Sequence, residues 1–548
     1  MFFIQLLELQ KSFSEQKPLL ENLNFTFSEG TVLGIVGRNG EGKTTLLQLI
    51  AGVLEADSGK VIFSKQDATI GYHTQFIDTQ NLEGVSIEEY ILSSFENVYR
   101  LYREINTLIE NYQEGDVDTL IALQTAFDEQ GGYRIQGEID HALVQLGLAG
   151  FKPETTITTL SGGQKTRLQL AKVLIQNPDV LLLDEPTNHL DVESSEWLVK
   201  YIQKRRGITI IVSHDRNFLN KTSNQILELE KGNAKLYTGN YNDFYSAKQT
   251  EIERNLEEIK QTNRKVEKLT AAAHAKASLA KKQHYQRPDK KTYGRHSRTI
   301  MRNKAGKKFR SVKMMQKRID NQLLRNQTIA PVKQRNMGFE VNSTGRTGDF
   351  ILRVHNFDLE IAGKVLVKNV DLELRRGERA AIAGENGSGK TSLIKSIIAR
   401  INSDTGEIKL GPNVTCGFYA QEHEGIDLNL TVIDDFRREF KMSEKDAGNY
   451  LHKLLFTYEQ LRQKVGDLSQ GEKSKLVLAK LLAGEHNFLI LDEPTNHLDI
   501  ASREVLENAL KNYDGTLLIV SHDTYFLEKV GVDKVYEIKH SEIREKNS

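Results

Sequence analysis

The sequence has little cysteine and no long apolar run, and both absences narrow the classes of protein that it can encode. One cysteine among 548 residues, Cys416, excludes a disulfide framework and a metal site built from several cysteines. Apolar runs such as 180–183 and 488–491 have the length of a strand, whereas a membrane helix needs about 20 apolar residues. The N-terminus lacks the basic start and apolar core of a secretory signal. We therefore expect a cytoplasmic protein with no membrane-spanning part.

The chain as a whole has no net charge, but its charges are distributed unevenly along the sequence. The chain holds 74 Lys and Arg and 74 Asp and Glu, so its formal net charge is zero. Residues 268–318 contain 17 Lys or Arg against one acid, Asp289, which gives this segment a charge of +16 and the remainder of the chain −16. A neutral protein with a cationic middle is typical of one that meets a polyanionic partner there.

The chain carries the same set of motifs twice. Glycine-rich loops GRNGEGKT and GENGSGKT begin at Gly37 and Gly384, 347 residues apart, and Gln75 and Gln421 follow at an offset of 346. The segments LSGGQ and LSQGE, the two DEPTNHLD segments and the two VSHD segments are all 308 residues apart. Because 346 and 308 differ by 38, the first copy contains an insertion, and helical periodicity at about 93–130 predicts a short helical arm there.

A second insertion separates the two copies, at about 247–335. Apolar residues recur at helical spacing on both of its flanks, and residues 281–308 between them are polar and basic. We expect a long antiparallel helical linker with a basic tip. The predicted fold class is α/β, with one phosphate-loop domain at 1–246 and a second at 336–548.

Each glycine-rich loop follows an apolar strand pattern and precedes a helical one, which is the context of a phosphate-binding loop. Glycines let backbone N–H groups face the phosphates, and the helix N-terminus adds positive potential. We expect Lys43 and Lys390 to reach the β- and γ-phosphates of ATP, and Thr44 and Thr391 to ligate Mg²⁺. The candidate residues of the two loops are Gly37, Asn39, Gly40, Gly42, Lys43, Thr44, Thr45, Gly384, Asn386, Gly387, Gly389, Lys390, Thr391 and Ser392.

Carboxylates follow a second apolar strand in each copy. We expect Asp184 and Asp492 to hold Mg²⁺, directly or through water. Glu185 and Glu493 are expected to orient and polarise the water that attacks the γ-phosphate.

Two further pairs complete the predicted chemistry. His214 and His522, in the VSHD segments, can contact the γ-phosphate; an isolated histidine would more often be structural, but its place after an apolar strand reverses this expectation. Gln75 and Gln421 are expected to contact Mg²⁺ and the attacking water.

Together these motifs resemble those of ABC ATPases. The resemblance implies that the LSGGQ segment of one domain caps the nucleotide of the other, so that Ser161 completes the site at Lys390 and Ser469 the site at Lys43. ATP would then hold the domains together, and hydrolysis would let them part. The residues that the resemblance assigns to these segments are Ser161, Gly162, Gly163, Gln164, Ser469, Gly471 and Glu472.

Two positions call for separate expectations. Gln470 stands where the family usually has glycine, so we expect turnover at Lys43 to differ from that at Lys390. Phe13 is placed to stack on adenine in the first domain, whereas the second offers Ile361, which cannot stack. Both sites are expected to bind ATP.

The architecture further resembles the ABC-F proteins, since tandem domains, an arm in the first domain and YTGNYNDFY before a basic linker occur together. The resemblance covers essentially the whole chain. It implies a monomer that closes intramolecularly and binds the ribosomal exit (E) site, with its linker reaching P-site tRNA and the peptidyl transferase region of 23S rRNA. DNA is a poorer partner because no groove-reading motif appears.

The linker supports an RNA partner independently, because aromatic residues alternate with arginines and can stack on unpaired bases. The candidate RNA-binding residues are Lys281, Lys282, Tyr285, Arg287, Lys290, Tyr293, Arg295, Arg298, Arg302, Lys307, Phe309 and Arg310. A plainer interpretation is a solvated helical pair whose charges only maintain solubility.

Three functions remain open from the sequence. The first is an ATP-dependent ribosome-protection protein that counters antibiotics bound at the peptidyl transferase centre. The second is a housekeeping translation factor of the same family that relieves stalled ribosomes. The third is the ATPase subunit of a transporter, which would leave the basic linker without a role. The long tip favours the first, by family analogy alone.

Overall fold

The computed structural model contains two compact units, Met1–Tyr241 with Met337–Ser548, and Asn242–Asn336. The first unit holds both copies of the motifs. The residues that the structure describes are 2–13, 18–74, 82–113, 115–188, 190–285, 313–315, 317, 348–361, 363–384, 387–400, 408–420, 425–496, 498–539 and 541–546.

The first copy folds as two sheets with helices around them. Its strands are β1 (Phe3–Lys11), β2 (Leu20–Ser28), β3 (Val32–Gly37), β4 (Ser58–Phe63), β5 (Ile70–His73), β6 (Val180–Asp184), β7 (Ile208–Val212), β8 (Gln225–Glu230) and β9 (Asn233–Thr238). Its helices are α1 (Lys43–Ile50), α2 (Ile87–Leu92), α3 (Glu96–Glu110), α4 (Val117–Glu129), α5 (Gly132–Gln145), α6 (Gly162–Ile175), α7 (Val192–Lys204) and α8 (Arg216–Thr222). The larger sheet has the order β5-β6-β7-β3-β8-β9, and the smaller has the order β2-β1-β4.

The order of the central strands places the motif loops together. Strands β6 and β7 are buried at every residue and pair in parallel, as β3 does with β7 and β8. Parallel strands that are covered on both faces read as continuous apolar runs, which is why the sequence located β3 and β6. Their carboxyl ends lie at one edge of the sheet, so the loops that follow them meet there.

The second copy repeats this arrangement in a single sheet. Its strands are β10 (Phe350–Ile361), β11 (Lys364–Arg375), β12 (Arg379–Gly384), β13 (Ile408–Leu410), β14 (Cys416–Tyr419), β15 (Phe488–Asp492), β16 (Thr516–Val520), β17 (Lys534–Lys539) and β18 (Glu542–Lys546). Its helices are α10 (Lys390–Arg400), α11 (Val432–Phe440), α12 (Glu444–Lys453), α13 (Tyr458–Arg462), α14 (Gln470–Ala483), α15 (Ile500–Lys511) and α16 (Thr524–Val530). The order is β13-β10-β11-β18-β17-β12-β16-β15-β14, with β12, β15 and β16 parallel. The predicted α/β fold with two tandem phosphate-loop domains is confirmed.

The insertion of the first copy forms α3 and α4, as its helical spacing predicted. Val98, Leu101 and Ile105 give α3 one buried face, and Phe127 is the buried residue of α4. The Phe127 ring meets the edge of the Tyr133 ring at a centroid distance of 5.1 Å, which ties α4 to the start of α5.

Helix α9 (Tyr241–Tyr285) has 45 residues, and all of them except Tyr241 belong to the second unit. At 1.5 Å per residue its length is about 68 Å. Residues 313–315, within the second predicted linker helix, are also helical, and most of that helix lies outside the described residues. Across the described part of the chain, no helix is both long and apolar enough to cross a membrane.

Candidate nucleotide sites

At each glycine-rich loop the backbone adopts conformations that favour glycine. Gly40 and Gly42 have φ angles of +83° and +91°, and Gly387 and Gly389 have +84° and +97°. A Cβ atom at Gly37 would lie 2.6 Å from a backbone oxygen of β8, so no side chain fits there without a shift. Each loop therefore lies close to the end of its sheet and leads directly into the N-terminus of α1 or α10. This arrangement binds phosphate.

The two loop lysines fold back onto their own loops. Lys43 Nζ donates to the carbonyl oxygens of Gly37 and Arg38 at 2.9 and 3.0 Å, and Lys390 Nζ donates to that of Gly384 at 2.8 Å. Burial lowers the pKa of Lys43, and nearby carboxylates oppose this shift. A buried ammonium group beside a glycine-rich loop is a fitting counter-charge for phosphate oxygens.

Buried carboxylates end β6 and β15. Burial raises the pKa of Asp184 and of Asp492, and the neighbouring Thr44 and Thr391 hydroxyls act in the opposite direction. Among the described atoms, Oδ2 of Asp184 and both carboxylate oxygens of Asp492 are buried without a hydrogen-bond partner. Carboxylate oxygens beside a threonine hydroxyl are ligands that Mg²⁺ accepts, so these residues fit the ion.

The next residue in each copy, Glu185 or Glu493, has a positive φ, +48° and +47°. This conformation is uncommon for a residue with a Cβ atom and marks a constrained site. The backbone N–H groups of Glu185 and Glu493 donate to the carbonyl oxygens of Val212 and Val520, each at 2.8 Å, which fixes the turn. Burial raises the pKa of Glu185 to about 7 and that of Glu493 to about 8. Both carboxyl groups thus titrate in the range that suits proton transfer near neutral pH.

A histidine lies against each glutamate. The backbone N–H of His214 donates to Glu185 Oε2 at 3.2 Å, while His214 Nε2 lies 3.5 Å from Glu185 Oε1 and 3.3 Å from Asn39 Oδ1. His522 Nε2 lies 3.5 Å from Glu493 Oε1. Burial lowers the pKa of His214 well below its usual range and that of His522 to about 4, so both rings are neutral near pH 7. The Asn39 oxygen at Nε2 of His214 favours the tautomer with hydrogen on that nitrogen.

The serines of the LSGGQ and LSQGE segments cap helices. Ser161 and Gln164 form a reciprocal capping box at α6, and Ser469 and Glu472 form one at α14. Ser469 Oγ also donates to Glu472 Oε2 at 2.7 Å. The resemblance to ABC ATPases assigns these serines to the opposite nucleotide; that role stays a prediction.

Residues that follow the second DEPTNHLD motif reach the first glycine-rich loop. The Asn39 N–H donates to Asp499 Oδ2 at 3.2 Å, and Arg503 Nη1 donates to the His214 carbonyl oxygen at 2.9 Å. Neither Asp499 nor Arg503 was predicted from the sequence to belong to a site. The last aspartate of the DEPTNHLD motif occurs in both copies, and this repetition could have identified Asp499 as a site residue. Arg503 is not repeated, because Ser195 stands 308 residues earlier in the first copy.

The predicted adenine positions are open to solvent. Phe13 follows β1 and is 68% exposed, with Lys11 Nζ 5.7 Å from the centre of its ring. Ile361, at the end of β10, is 45% exposed. Phe13 therefore offers an aromatic face to solvent in the first copy, and Ile361 an aliphatic one in the second.

Some predicted site residues cannot be placed. For Lys281, Lys282 and Tyr285, on α9, the structure describes the backbone but not the side chains. The residues that lie outside the described part of the chain altogether are Gln75, Gln421, Asn386, Arg287, Lys290, Tyr293, Arg295, Arg298, Arg302, Lys307, Phe309 and Arg310.

Comparison with known proteins agrees with the motifs. The sequence profile described as "ABC transporter" matches residues 20–188 and 367–496. The chain is 36% identical over 554 aligned positions to the ATP-binding protein YdiF of Bacillus subtilis, covering 100% of this chain and 81% of that protein. It is 33% identical to the ATP-binding protein Uup of Haemophilus influenzae, covering 95% and 76%. It is 31% identical to ABC transporter F family member 5 of Arabidopsis thaliana, covering 98% and 75%.

Solved structures share the fold at lower identity. One is the archaeal ribosome recycling factor aABCE1, crystallised with the ribosomal stalk protein aP1; its TM-score is 0.59 at 18% identity, covering 97% of this chain and 87% of that chain. Another is the RNase-L inhibitor, with a TM-score of 0.54 at 18% identity and the same coverage. At this level of identity the likeness establishes the tandem fold.

Proposed function

Because this chain belongs to the ABC family of ATP-hydrolysing proteins, and to its F group, we propose that it is an ATP-dependent ribosome-protection protein in the cytoplasm. It would bind the ribosomal E site and counter antibiotics bound at the peptidyl transferase centre. The observation that carries the proposal is the charge of +16 on residues 268–318, between the two ATPase domains. A segment of this charge is attracted to phosphate-dense RNA, and its interleaved aromatic residues suit stacking on unpaired bases.

We assign residues 1–246 and 336–548 to the two ATPase domains and 247–335 to the linker that reaches P-site tRNA and 23S rRNA. Between the glycine-rich loops and the carboxylates, each domain holds one ATP. Lys43 and Lys390 neutralise its terminal phosphates. Closure on ATP sets the position of the linker on the ribosome, and hydrolysis releases the protein.

Hydrolysis uses the buried glutamates. Glu185, held by the backbone of His214, accepts a hydrogen bond from the attacking water and polarises it, and Glu493 does the same in the second domain. Thr44 with Asp184, and Thr391 with Asp492, are the residues that would hold Mg²⁺, which supplies compensation for the phosphate charge. The neutral histidines donate to the γ-phosphate.

The proposal is tested by drug susceptibility in a sensitive Gram-positive host that expresses the protein. The panel comprises lincosamides, streptogramins A, pleuromutilins, phenicols, oxazolidinones and macrolides. We expect raised tolerance to at least one class. The matched control is Glu185→Gln with Glu493→Gln, which keeps ATP binding but removes turnover, so that the protein accumulates on ribosomes and tolerance is lost.

A second variant tests the linker tip. Replacing residues 285–309 with a short Gly/Ser loop is expected to spare ATPase activity and abolish tolerance. Retained tolerance would show that the tip does not act near the drug. Unchanged susceptibility to every class with the unmodified protein would instead favour the housekeeping role, and ribosome profiling for stalled sequences would follow.

A further inference from the structure

Two arginines connect the two motif copies at the site built on Lys43. The sequence has no arginine at the equivalent positions of the site built on Lys390. Arg503 lies on α15 and Arg216 on α8. At the offset of 308 residues that relates the copies, Ser195 corresponds to Arg503 and Thr524 corresponds to Arg216. The contacts that these arginines make are therefore specific to the site built on Lys43.

Arg503 is buried, with 8% of its side chain exposed, and it bridges three acceptors. Its Nε donates to the Leu498 carbonyl oxygen at 3.1 Å, within its own domain. Its Nη1 lies 3.3 Å from Asp523 Oδ2 and donates at 2.9 Å to the carbonyl oxygen of His214, in the other domain. The planar guanidinium group thereby fixes the position of the His214 backbone relative to α15.

Arg216 belongs to the first domain and contacts residues of the second domain. Its Nη1 donates to Glu507 Oε2 at 3.2 Å, and its Nη2 donates to the Ile500 carbonyl oxygen at 3.1 Å and lies 3.8 Å from Glu504 Oε1. The guanidinium group also lies over the ring of Tyr525, 5.1 Å from its centre. The Arg216 side chain is only 5% exposed, so dissolved salt screens its ion pair with Glu507 weakly.

We propose that Arg503 is a positioning residue for ATP hydrolysis at the Lys43 site and acts from the second domain through the backbone of His214. The pairing of Arg216 with Glu507 keeps α15, and with it Arg503, in position against the first domain. Arg503 donates a hydrogen bond to the His214 carbonyl oxygen, and the backbone N–H and the ring of His214 contact Glu185. The glutamate is thereby aligned only while the domains are in contact. The Lys390 site has serine at the equivalent position and lacks this requirement.

The inference rests on ATPase activity and on the proposed roles of Glu185 and Glu493, and is independent of the ribosomal role. The test measures the two sites separately in the full-length protein. In a Glu493→Gln background only the Lys43 site turns over, and in a Glu185→Gln background only the Lys390 site does. The double variant gives the floor; if it hydrolyses ATP at the wild-type rate, the glutamate assignment fails rather than the role of Arg503.

Arg503→Gln is introduced into each background. With Glu493→Gln we expect kcat to fall roughly 10-fold, with a change of less than about 2-fold in KM for ATP, because alignment of the attacking water is lost while the phosphate loop is intact. With Glu185→Gln we expect a change of less than about 2-fold in either constant.

Arg503→Lys distinguishes charge from geometry and also serves if the glutamine variant does not fold. It keeps the positive charge and loses the planar fork, so kcat in the Glu493→Gln background should fall between the value with Arg503 and the value with Arg503→Gln. Equal losses in both backgrounds, with either substitution, would show that Arg503 merely holds the domains together. Unchanged kcat at the Lys43 site with both substitutions would also overturn the proposal.

Discussion

At the scale of residues, the two proposed catalytic glutamates combine features that rarely occur together. Each has a positive φ, is buried, and has a pKa raised to about 7 or 8. A backbone conformation of this kind costs on the order of 1–3 kcal/mol and persists because the surrounding contacts hold it. Here the N–H bond to the neighbouring strand and the contacts with His214 or His522 hold Glu185 and Glu493.

The rate at each site should depend on pH. A glutamate polarises water only as the carboxylate, so the rate rises as pH passes upward through the pKa of that glutamate. Because burial raises the pKa of Glu185 to about 7 and that of Glu493 to about 8, we expect the acid limb of kcat/KM to lie near neutral pH both in Glu493→Gln and in Glu185→Gln. A limb near the usual pKa of a glutamate, about 4.5, in either variant would contradict the assignment of the glutamate that remains.

At the scale of elements, aspartates cap the helices that begin beside each candidate ATP site. Asp215 caps α8 and Asp523 caps α16, directly after the histidines of the VSHD segments. Asp191 and Asp499 cap α7 and α15 in the same way. Asp499 uses Oδ1 for the cap and Oδ2 for the Asn39 N–H, so one side chain ends a loop and contacts the opposite domain. Such caps stabilise a helix by about 1 kcal/mol.

Helix α5, beside the arm, offers a matched pair of glycines. A Cβ atom at the exposed Gly137 would meet nothing within 4 Å, whereas one at Gly132 would lie 2.4 Å from the Phe127 ring. We expect Gly137→Ala to raise the free energy of unfolding by about 0.5–1 kcal/mol through helix propensity and chain entropy. Gly132→Ala should lower it by about 1–3 kcal/mol through overpacking.

Thermal unfolding of the two variants measures this contrast. Because both substitutions add the same methyl group to the same helix, each serves as the control of the other. Destabilisation by Gly137→Ala would contradict the open position of Gly137, and a neutral effect of Gly132→Ala would contradict the close contact between Gly132 and Phe127.

At the scale of the whole molecule, charge is divided between the segments of the chain. Residues 268–318 carry +16 and the remainder −16, so the net charge of zero conceals a strong dipolar separation along the sequence. The two motif copies are also unequal, since the arginines that cross the boundary at the Lys43 site have no sequence equivalent at the Lys390 site. The repeated sequence therefore contains two candidate ATP sites that are not equivalent, with a cationic segment between them along the chain.

The charge separation predicts how the proposed binding to ribosomes depends on salt. Replacing Arg287, Lys290, Arg295 and Arg298 with Gln should weaken co-sedimentation with ribosomes and reduce the slope of log K against log salt, by about 0.7–0.9 for each phosphate that is no longer neutralised. ATPase activity without ribosomes should not change. The matched control removes four exposed lysines of the first domain, Lys60, Lys152, Lys200 and Lys204. An equal reduction in both variants would show that the tip does not contact RNA.

The sequence by itself determined the fold class, the two glycine-rich loops and the carboxylate strands. These features are local: a phosphate loop needs glycine at fixed positions, and a strand that is buried on both faces needs a continuous apolar run. The helical arm was also predictable, because an offset that falls by 38 residues locates an insertion and its apolar spacing identifies helices. The same motifs supported the assignment to ABC ATPases.

Only the tertiary structure decided which side chains act across the boundary between the copies. Arg503 and Arg216 are single residues on amphipathic helices, and nothing in their local sequence distinguishes them from solvated charges. Their partners, the His214 carbonyl and Glu507, are more than 280 residues away along the chain. The positive φ of Glu185 and Glu493 and the raised pKa values likewise depend on burial against distant strands. Such contacts arise from how the domains pack, which no short-range pattern encodes.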